Sequence, residues 1–386
     1  MQHRAVLIAN LVSLLSMTPA VGCALPEGGG EGVAEAQSAD SAGDGDHHGD
    51  GPGGPGDRRR ATPVVFDTDM DFDDSAALAF LAAEHKLGRI DLRAVTVTNN
   101  GAGLPGRAIF HARCLLERFG LSSVPVADNR ATGPEQFPAQ VQGAAELVLN
   151  EMVDGCTQSD APSTLTADQL LLQTVSRSDG PVTLVSTGPL TNIARALAAP
   201  GAHGCFGGSD FADHVDRIFI MAGAVHVAGN VPPSATEDGS QEFNAWGDAA
   251  ATRAVLGAPF DVRLVALDAS QFVPVTVAFS TRMQGDHHTP EADYVAALLA
   301  NPLIAFGIQN NLGFFWWDPL DAVASDTSHI VTYEWDRIAV AQSGVQTGRT
   351  AAVSSGQPGS WVRVGIHADA QGFEDFFLDT LNGRTR

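Results

Sequence analysis

The sequence predicts an α/β fold: a mostly parallel open sheet with helices on both faces and a Rossmann-like core. Three observations predict it. From Val64 onward, short continuous apolar runs alternate with longer segments of helical period, the pattern of successive βαβ units. The first run, Val64-Val65-Phe66, gives way at once to five carboxylates within eight residues, Asp67, Asp69, Asp71, Asp73 and Asp74. These acids lead into an apolar, alanine-rich stretch, Ala76 to Ala83, of helix-compatible composition. A buried strand, an acidic turn and a helix N-terminus therefore follow one another, and in open α/β sheets ligands bind at the carboxyl ends of the strands.

The chain has 386 residues and a formal net charge of −23. That excludes a generally basic surface for nucleic acid or anionic membrane. Residues 1–23 read as an export signal: Arg4 is a short basic region, Ala5 to Met17 an apolar one too short for a confident membrane span. Ala20-Val21-Gly22-Cys23 resembles a bacterial lipoprotein cleavage box, with Cys23 as the lipidated first residue. Residues 24–62, rich in Gly, Ala, Asp, Ser and Pro, read as a disordered acidic tether containing His47 and His48. The domain proper is then 63–386. Of the remaining thiols, Cys114 lies in a helical apolar pattern as a core residue, and Cys156 and Cys205, in loop-like sequence, are a candidate pair.

The elements follow in order. Leu92 to Thr98 is a β-rich run ending in Asn99-Asn100-Gly101, Ala108 to Phe119 is helical, and Val124-Pro125-Val126 is a short strand. Ala139 to Glu151 and Ala167 to Ser176 are helices, Val182 to Ser186 is a buried strand, and Thr191 to Leu197 is a helix capped by Thr191 or Asn192. Ile218 to Met221 is a strand, Asp248 to Leu256 a helix and Arg263 to Leu267 a strand.

The acidic turn, D-x-D-x-x-x-D-D behind a first strand, resembles the opening motif of the nucleoside hydrolase family. Four further stretches extend the resemblance in family order. They are Thr187-Gly188-Pro189-Leu190-Thr191-Asn192; Met221-Ala222-Gly223-Ala224 with Gly229-Asn230; Glu242-Phe243-Asn244 with Asp248; and Trp316-Trp317-Asp318-Pro319-Leu320. The resemblance covers Val64 to about Leu381. It departs from the family at Met70-Asp71, where an extra acid enters, and at Asn99-Asn100-Gly101.

The resemblance implies hydrolysis of an N-ribosidic bond through an oxocarbenium-like transition state. It implies a Ca²⁺ ion on Asp69, Asp74, Asp318 and the Thr187 carbonyl, with Asp69 as general base for the attacking water. Asp73, Asn100, Asn230, Glu242, Asn244 and Asp318 would hold the ribose hydroxyls, and Asp67 would support the ligands from behind. Trp317 stands where many members have a histidine, which implies stacking on a purine base, with Phe137 as a candidate second wall. The implied partner is a small-molecule nucleoside, with no nucleic acid, membrane contact only through Cys23, and a dimer or tetramer as the oligomer. Two other readings compete. A D-x-D phosphatase would want a downstream lysine, whereas Lys86 is the only lysine and sits in the first helix. A tethered nucleoside-binding lipoprotein with a structural calcium site would keep the same sugar contacts.

Overall fold

A computed structural model describes residues 61–129, 133–135, 137–200, 208–232 and 238–385. Cys23, the tether up to residue 60, His47, His48 and Cys205 lie outside these residues, whereas Thr62, expected to end the tether, opens the first strand.

The first half alternates as expected: β1 (Thr62–Thr68), α1 (Phe72–Leu87), β2 (Ile90–Val97), α2 (Ala108–Arg118), β3 (Val126–Asp128), α3 (Ala139–Met152), α4 (Ala167–Ser176), β4 (Val182–Ser186), α5 (Thr191–Ala198), α6 (Gly208–Asp213) and β5 (Val215–Ile220). The second half holds α7 (Phe243–Gly247), α8 (Ala249–Leu256), β6 (Asp261–Leu264), α9 (Leu267–Ser270), α10 (Val277–Gly285), α11 (Pro290–Ala300), α12 (Pro302–Gln309), α13 (Trp317–Asp326), β7 (Val331–Val340), β8 (Thr350–Ala352), β9 (Ser360–Ala368) and α14 (Ala370–Leu381).

The strands form one sheet in the order β3-β2-β1-β4-β5-β6-β9-β7-β8. Every pair from β3 across to β9 is parallel, and β7 alone runs against the rest, pairing antiparallel with β9 on one side and β8 on the other. The order runs outward from β1 in both directions, so β1 and β4 flank the point where the chain reverses its winding. Ligands bind at such a point.

Apolar clusters cover both faces. One holds Phe66 with residues of α1, α2, α11, α13 and α14; the other holds Val65 with residues of α4, α5, α6 and α8. Helix α1 is buried almost all round from Asp73 to Glu84, which explains its small apolar residues: alanines let neighbours approach from every side. Its start is fixed by a reciprocal box in which the Asp71 side chain accepts the Asp73 amide and the Asp74 side chain accepts the Asp71 amide. Gly88 ends it in the left-handed region, φ 74°.

The structure corrects several local expectations. The third strand begins at Val126, because Pro125 has no amide to donate and only its carbonyl joins the ladder, accepting from Val95. The sixth strand covers Asp261–Leu264, and Leu267 opens the short helix α9. Leu190 stands at the N-cap of α5 with no side-chain cap bond; Asn192 turns inward to Asp67 instead. Cys114 is bonded to Cys156 and ties α2 to the loop after α3, so Cys156 does not pair with Cys205. Sequence spacing did not mark this pair, because the two thiols lie 42 residues apart and meet only when α2 and α3 pack together.

Candidate active site at the carboxyl end of β1 and β4

Strand β1 delivers Asp67 and Asp69, and the turn into α1 delivers Asp71, Asp73 and Asp74. Met70 makes this turn at φ 59°, a left-handed conformation uncommon for a side chain of its size. Asp318, in the first turn of α13, closes the cluster from the far side. Oxygens of Asp71, Asp73, Asp74 and Asp318 all lie within 4.8 Å of one another. Asp69 abuts the group and shares its electrostatics: burial first, and then the Asp74 charge, hold its carboxyl well above the ordinary 3.8. Burial and neighbouring acids likewise raise Asp71 and Asp318 well above that value and Asp73 above it. Carboxylates packed this closely stay ionised together only against a positive charge. The donors are all oxygen, so the cluster can hold a hard metal ion.

The surroundings hold each acid in place. Asp74 Oδ1 accepts from the hydroxyls of Thr68 and Thr187, the latter at 2.5 Å. Asp69 Oδ2 accepts the Ala102 amide at 2.5 Å. Gly101 and Gly103 press against Asp69 so closely that a Cβ on either would sit 1.8 and 1.9 Å from its atoms, which is why this loop is glycine-rich. Asp67 stands behind the cluster, accepting from Thr96 at 2.5 Å and Asn192 at 2.8 Å, with burial pushing its carboxyl up to about 7.

The Thr187 carbonyl accepts from Asn244 Nδ2 at 2.9 Å, and the same amide group reaches the Met221 carbonyl at 3.0 Å. Asn244 thereby ties the ends of β4 and β5 to α7. Glu242 caps α7, accepting the Asn244, Ala245 and Gly223 amides at 2.9, 2.9 and 2.7 Å; burial raises its carboxyl despite these bonds. Asn230 is partly exposed and accepts the Phe243 amide at 3.1 Å. Asn100 is fully buried beside the cluster, and its amide group donates to Thr191 Oγ1 and the Gly247 carbonyl, each at 3.1 Å.

The two adjacent tryptophans separate. Trp316 is buried among Phe279, Phe373 and Phe377. Trp317 is half-buried, against Met221, Ala224 and Leu267 on one side and 5.7 Å from the Phe315 ring on another. Phe137 packs with Phe243 and Trp246 and is 5 % exposed, a small cluster of its own that does not include Trp317. Asp71, the extra acid of the turn, joins the carboxylate group as a fourth oxygen donor. Asp268 had no signal in the sequence: it accepts the Val225 and His226 amides at 2.8 and 2.7 Å, fixing the loop that leads to Asn230.

The sequence model of the family described as inosine-uridine preferring nucleoside hydrolase matches residues 64–375. The chain is 32 % identical over 216 residues to the pyrimidine-specific ribonucleoside hydrolase RihA of Shewanella oneidensis. That alignment covers 53 % of this chain and 59 % of the relative, so the chain spans less than two thirds of that protein's length. Two solved structures share the fold. An inosine-uridine preferring nucleoside hydrolase from Bacillus anthracis superposes with TM-score 0.69 at 23 % identity, over 83 % of this chain and 99 % of the other. A purine-preferring ribonucleoside hydrolase from Gardnerella vaginalis gives 0.67 at 20 % identity, over 83 % and 98 %. With its motifs matched across residues 64–375 and its acids gathered at the β1–β4 switch, the chain belongs to the inosine-uridine preferring nucleoside hydrolase family.

Proposed function

We propose that this protein hydrolyses the N-glycosidic bond of ribonucleosides to free base and ribose, with Ca²⁺ as cofactor. The observation that carries the reading is the gathering of Asp71, Asp73, Asp74 and Asp318 within 4.8 Å of one another, with Asp69 feeling the Asp74 charge and the Thr187 hydroxyl bonded to Asp74, at the sheet's switch point. Asp69, Asp74, Asp318 and Thr187 O are the ligands proposed for the ion. Ca²⁺ is favoured over Mg²⁺ because a crowded cage of protein oxygens suits a large ion of high, flexible coordination, whereas Mg²⁺ keeps several waters. When bound, such a cation lowers the pKa of water and polarises it for attack.

The protein groups do the rest. Asp69, held by the Ala102 amide, takes a proton from the attacking water. Asp73 faces the ribose diol, with Asn230, Glu242 and Asn244 along the sugar and Asn100 buttressing the wall behind. The water oxygen bonds to the anomeric carbon, the bond to the base nitrogen breaks with its electron pair leaving on the base, and a proton neutralises that base. Trp317 offers an aromatic face to the base and so favours purines.

We infer further that the protein is exported, lipid-anchored through Cys23. The short basic and apolar N-terminal regions support this, as does the Cys114–Cys156 disulfide, a bond suited to an oxidising compartment. Mass spectrometry of the mature N-terminus tests the anchor: a lipid mass on Cys23 is expected, and an unmodified terminus elsewhere overturns it. For the reaction, ribose release from a panel of nucleosides is measured with and without chelator. Release abolished by chelation and restored by Ca²⁺ is expected. Saturable nucleoside binding without ribose release would make the protein a binder instead.

A further inference from the structure

The loop that follows β5 runs from Gly223 to Asn230, and its first four amides all go to buried side chains from elsewhere in the chain. Glu242, at the start of α7, accepts the Gly223 amide at 2.7 Å. Thr350, the first residue of β8, accepts the Ala224 amide at 2.9 Å and donates back to the Ala224 carbonyl at 3.0 Å. Asp268, in α9, takes the last two: Oδ2 accepts from Val225 at 2.8 Å and Oδ1 from His226 at 2.7 Å. All three side chains are buried. Downstream, Val227 packs in the cluster that holds Leu267 and Trp317. The Asn230 and Val231 amides then both donate to the Gln241 carbonyl, at 3.0 and 3.1 Å.

We propose that Asp268 is a positioning residue for the nucleoside, its carboxylate setting the path of residues 225–230 and so placing Asn230 against the sugar, an inference that rests on Asn230 as a sugar contact. Beyond the end of a strand there is no ladder to take up the amides, so the loop keeps the shape its side-chain partners dictate. A carboxylate is the strongest partner of the three, because it only accepts and each oxygen takes one amide in a charge-assisted bond. The neighbouring Leu267 donates its own amide to the Gly223 carbonyl at 2.9 Å and packs its side chain beside Val227 and Trp317. The short helix α9 therefore holds the loop by three bonds and touches the tryptophan proposed for the base. Removing the Asp268 carboxylate frees the Val225 and His226 amides together, and displacement of a substrate contact by about an ångström is costly in rate.

A double-mutant cycle on kcat/KM for inosine tests the assignment, with Asp268→Ala and Asn230→Ala made singly and together. Each single change should lower kcat/KM by about tenfold or more, and the pair should lower it little further than Asn230→Ala alone, since Asp268 acts through that residue. Ca²⁺ affinity, measured by isothermal titration, should stay at the wild-type value, whereas a general loosening of the fold would weaken it. Asp268→Asn keeps the shape and one accepting oxygen, so its loss should be smaller, and it stands in for the alanine variant if that fails to fold. Thr350→Val, which loosens the same loop from β8, should couple to Asn230→Ala in the same way. Additive losses overturn the proposal, and so does a wild-type kcat/KM in both Asp268 variants. A Ca²⁺ affinity that falls in step with activity overturns it too, making Asp268 a structural residue. If Asn230→Ala leaves kcat/KM unchanged, Asn230 is no sugar contact, and the role of Asp268 falls with it.

Discussion

The Thr187 hydroxyl donates to Asp74 Oδ1 over 2.5 Å, across 113 residues of sequence. That bond joins the end of β4 to the first turn of α1. It sets the Thr187 backbone against the carboxylates, and Asn244 holds the Thr187 carbonyl from the other side. These bonds therefore join the ends of β4 and β5, α7 and the first turn of α1 around the buried acids.

The first prediction follows from that burial. Without a cation, Asp67 titrates at about 7 rather than 3.8, and Asp69, Asp71, Asp73 and Asp318 shift the same way. A raised folded-state value means that the folded protein holds more protons than the unfolded chain in this window. Stability is then full below about pH 4 and falls as pH rises through 7, by on the order of 4 kcal/mol for Asp67 alone. A divalent cation replaces those protons, so added Ca²⁺ should stabilise the protein most at neutral pH and little at acid pH. Thermal melts across pH, with chelator and with Ca²⁺, check both trends; a chelated protein that gains stability from pH 5 to pH 8 contradicts them.

Asp69→Asn should leave the fold intact and lower turnover about 10²–10⁴-fold, the range for losing a general base, and more if the ion is disturbed. Steady-state kinetics at saturating Ca²⁺ measure it. Turnover near the wild-type value would remove Asp69 from the reaction.

Gly101→Ala probes the same residue from behind. The added Cβ would sit 1.8 Å from Asp69 Oδ2, so the carboxylate must move by more than an ångström. A displacement of that size costs about 10²-fold in turnover. If activity persists, the loop yields more readily than its packing implies.

How much of this was legible in the sequence depends on the range of the interaction. The acidic turn was legible because strand, acids and helix are contiguous, and carboxylates this dense behind a buried strand need a cation to stay ionised together. Thr187 and Asp318 needed the resemblance, since a lone threonine carbonyl or an acid after two tryptophans carries no signal alone. Asp71 was visible as an extra acid, but its place among the other carboxylates depends on the left-handed turn at Met70. The antiparallel β7–β9 end escaped altogether. Its pattern is mixed, because Trp335 and Trp361 point to solvent at positions where alternation would put polar residues.

Removing the Cys114–Cys156 bond should weaken the fold without touching the acids. It closes 42 residues, which corresponds to about 4 kcal/mol of loop entropy. Within that segment Gln142 donates to the Gly101 carbonyl at 3.0 Å, and Asn129 O accepts from Asn99 at 2.5 Å, so it buttresses the wall behind Asp69. Cys114→Ser/Cys156→Ser should lower the melting temperature by several degrees and raise the KM for nucleoside. An unchanged melting temperature would mean that α2 and α3 hold the segment unaided.

The last prediction concerns the base. Trp317 packs partly buried against Met221, Ala224 and Leu267 and precedes Asp318 in the first turn of α13. Phe137 is committed to Phe243 and Trp246, so a second stacking wall from that residue is not available without breaking the cluster. A single aromatic wall favours the ligand with the larger face, and stacking is worth roughly 1–3 kcal/mol per base. Inosine should therefore exceed uridine in kcat/KM, and Trp317→Ala should cut that preference about tenfold while leaving Ca²⁺ binding unchanged. A wild type that prefers uridine, or a ratio that Trp317→Ala does not move, would assign specificity to contacts other than Trp317.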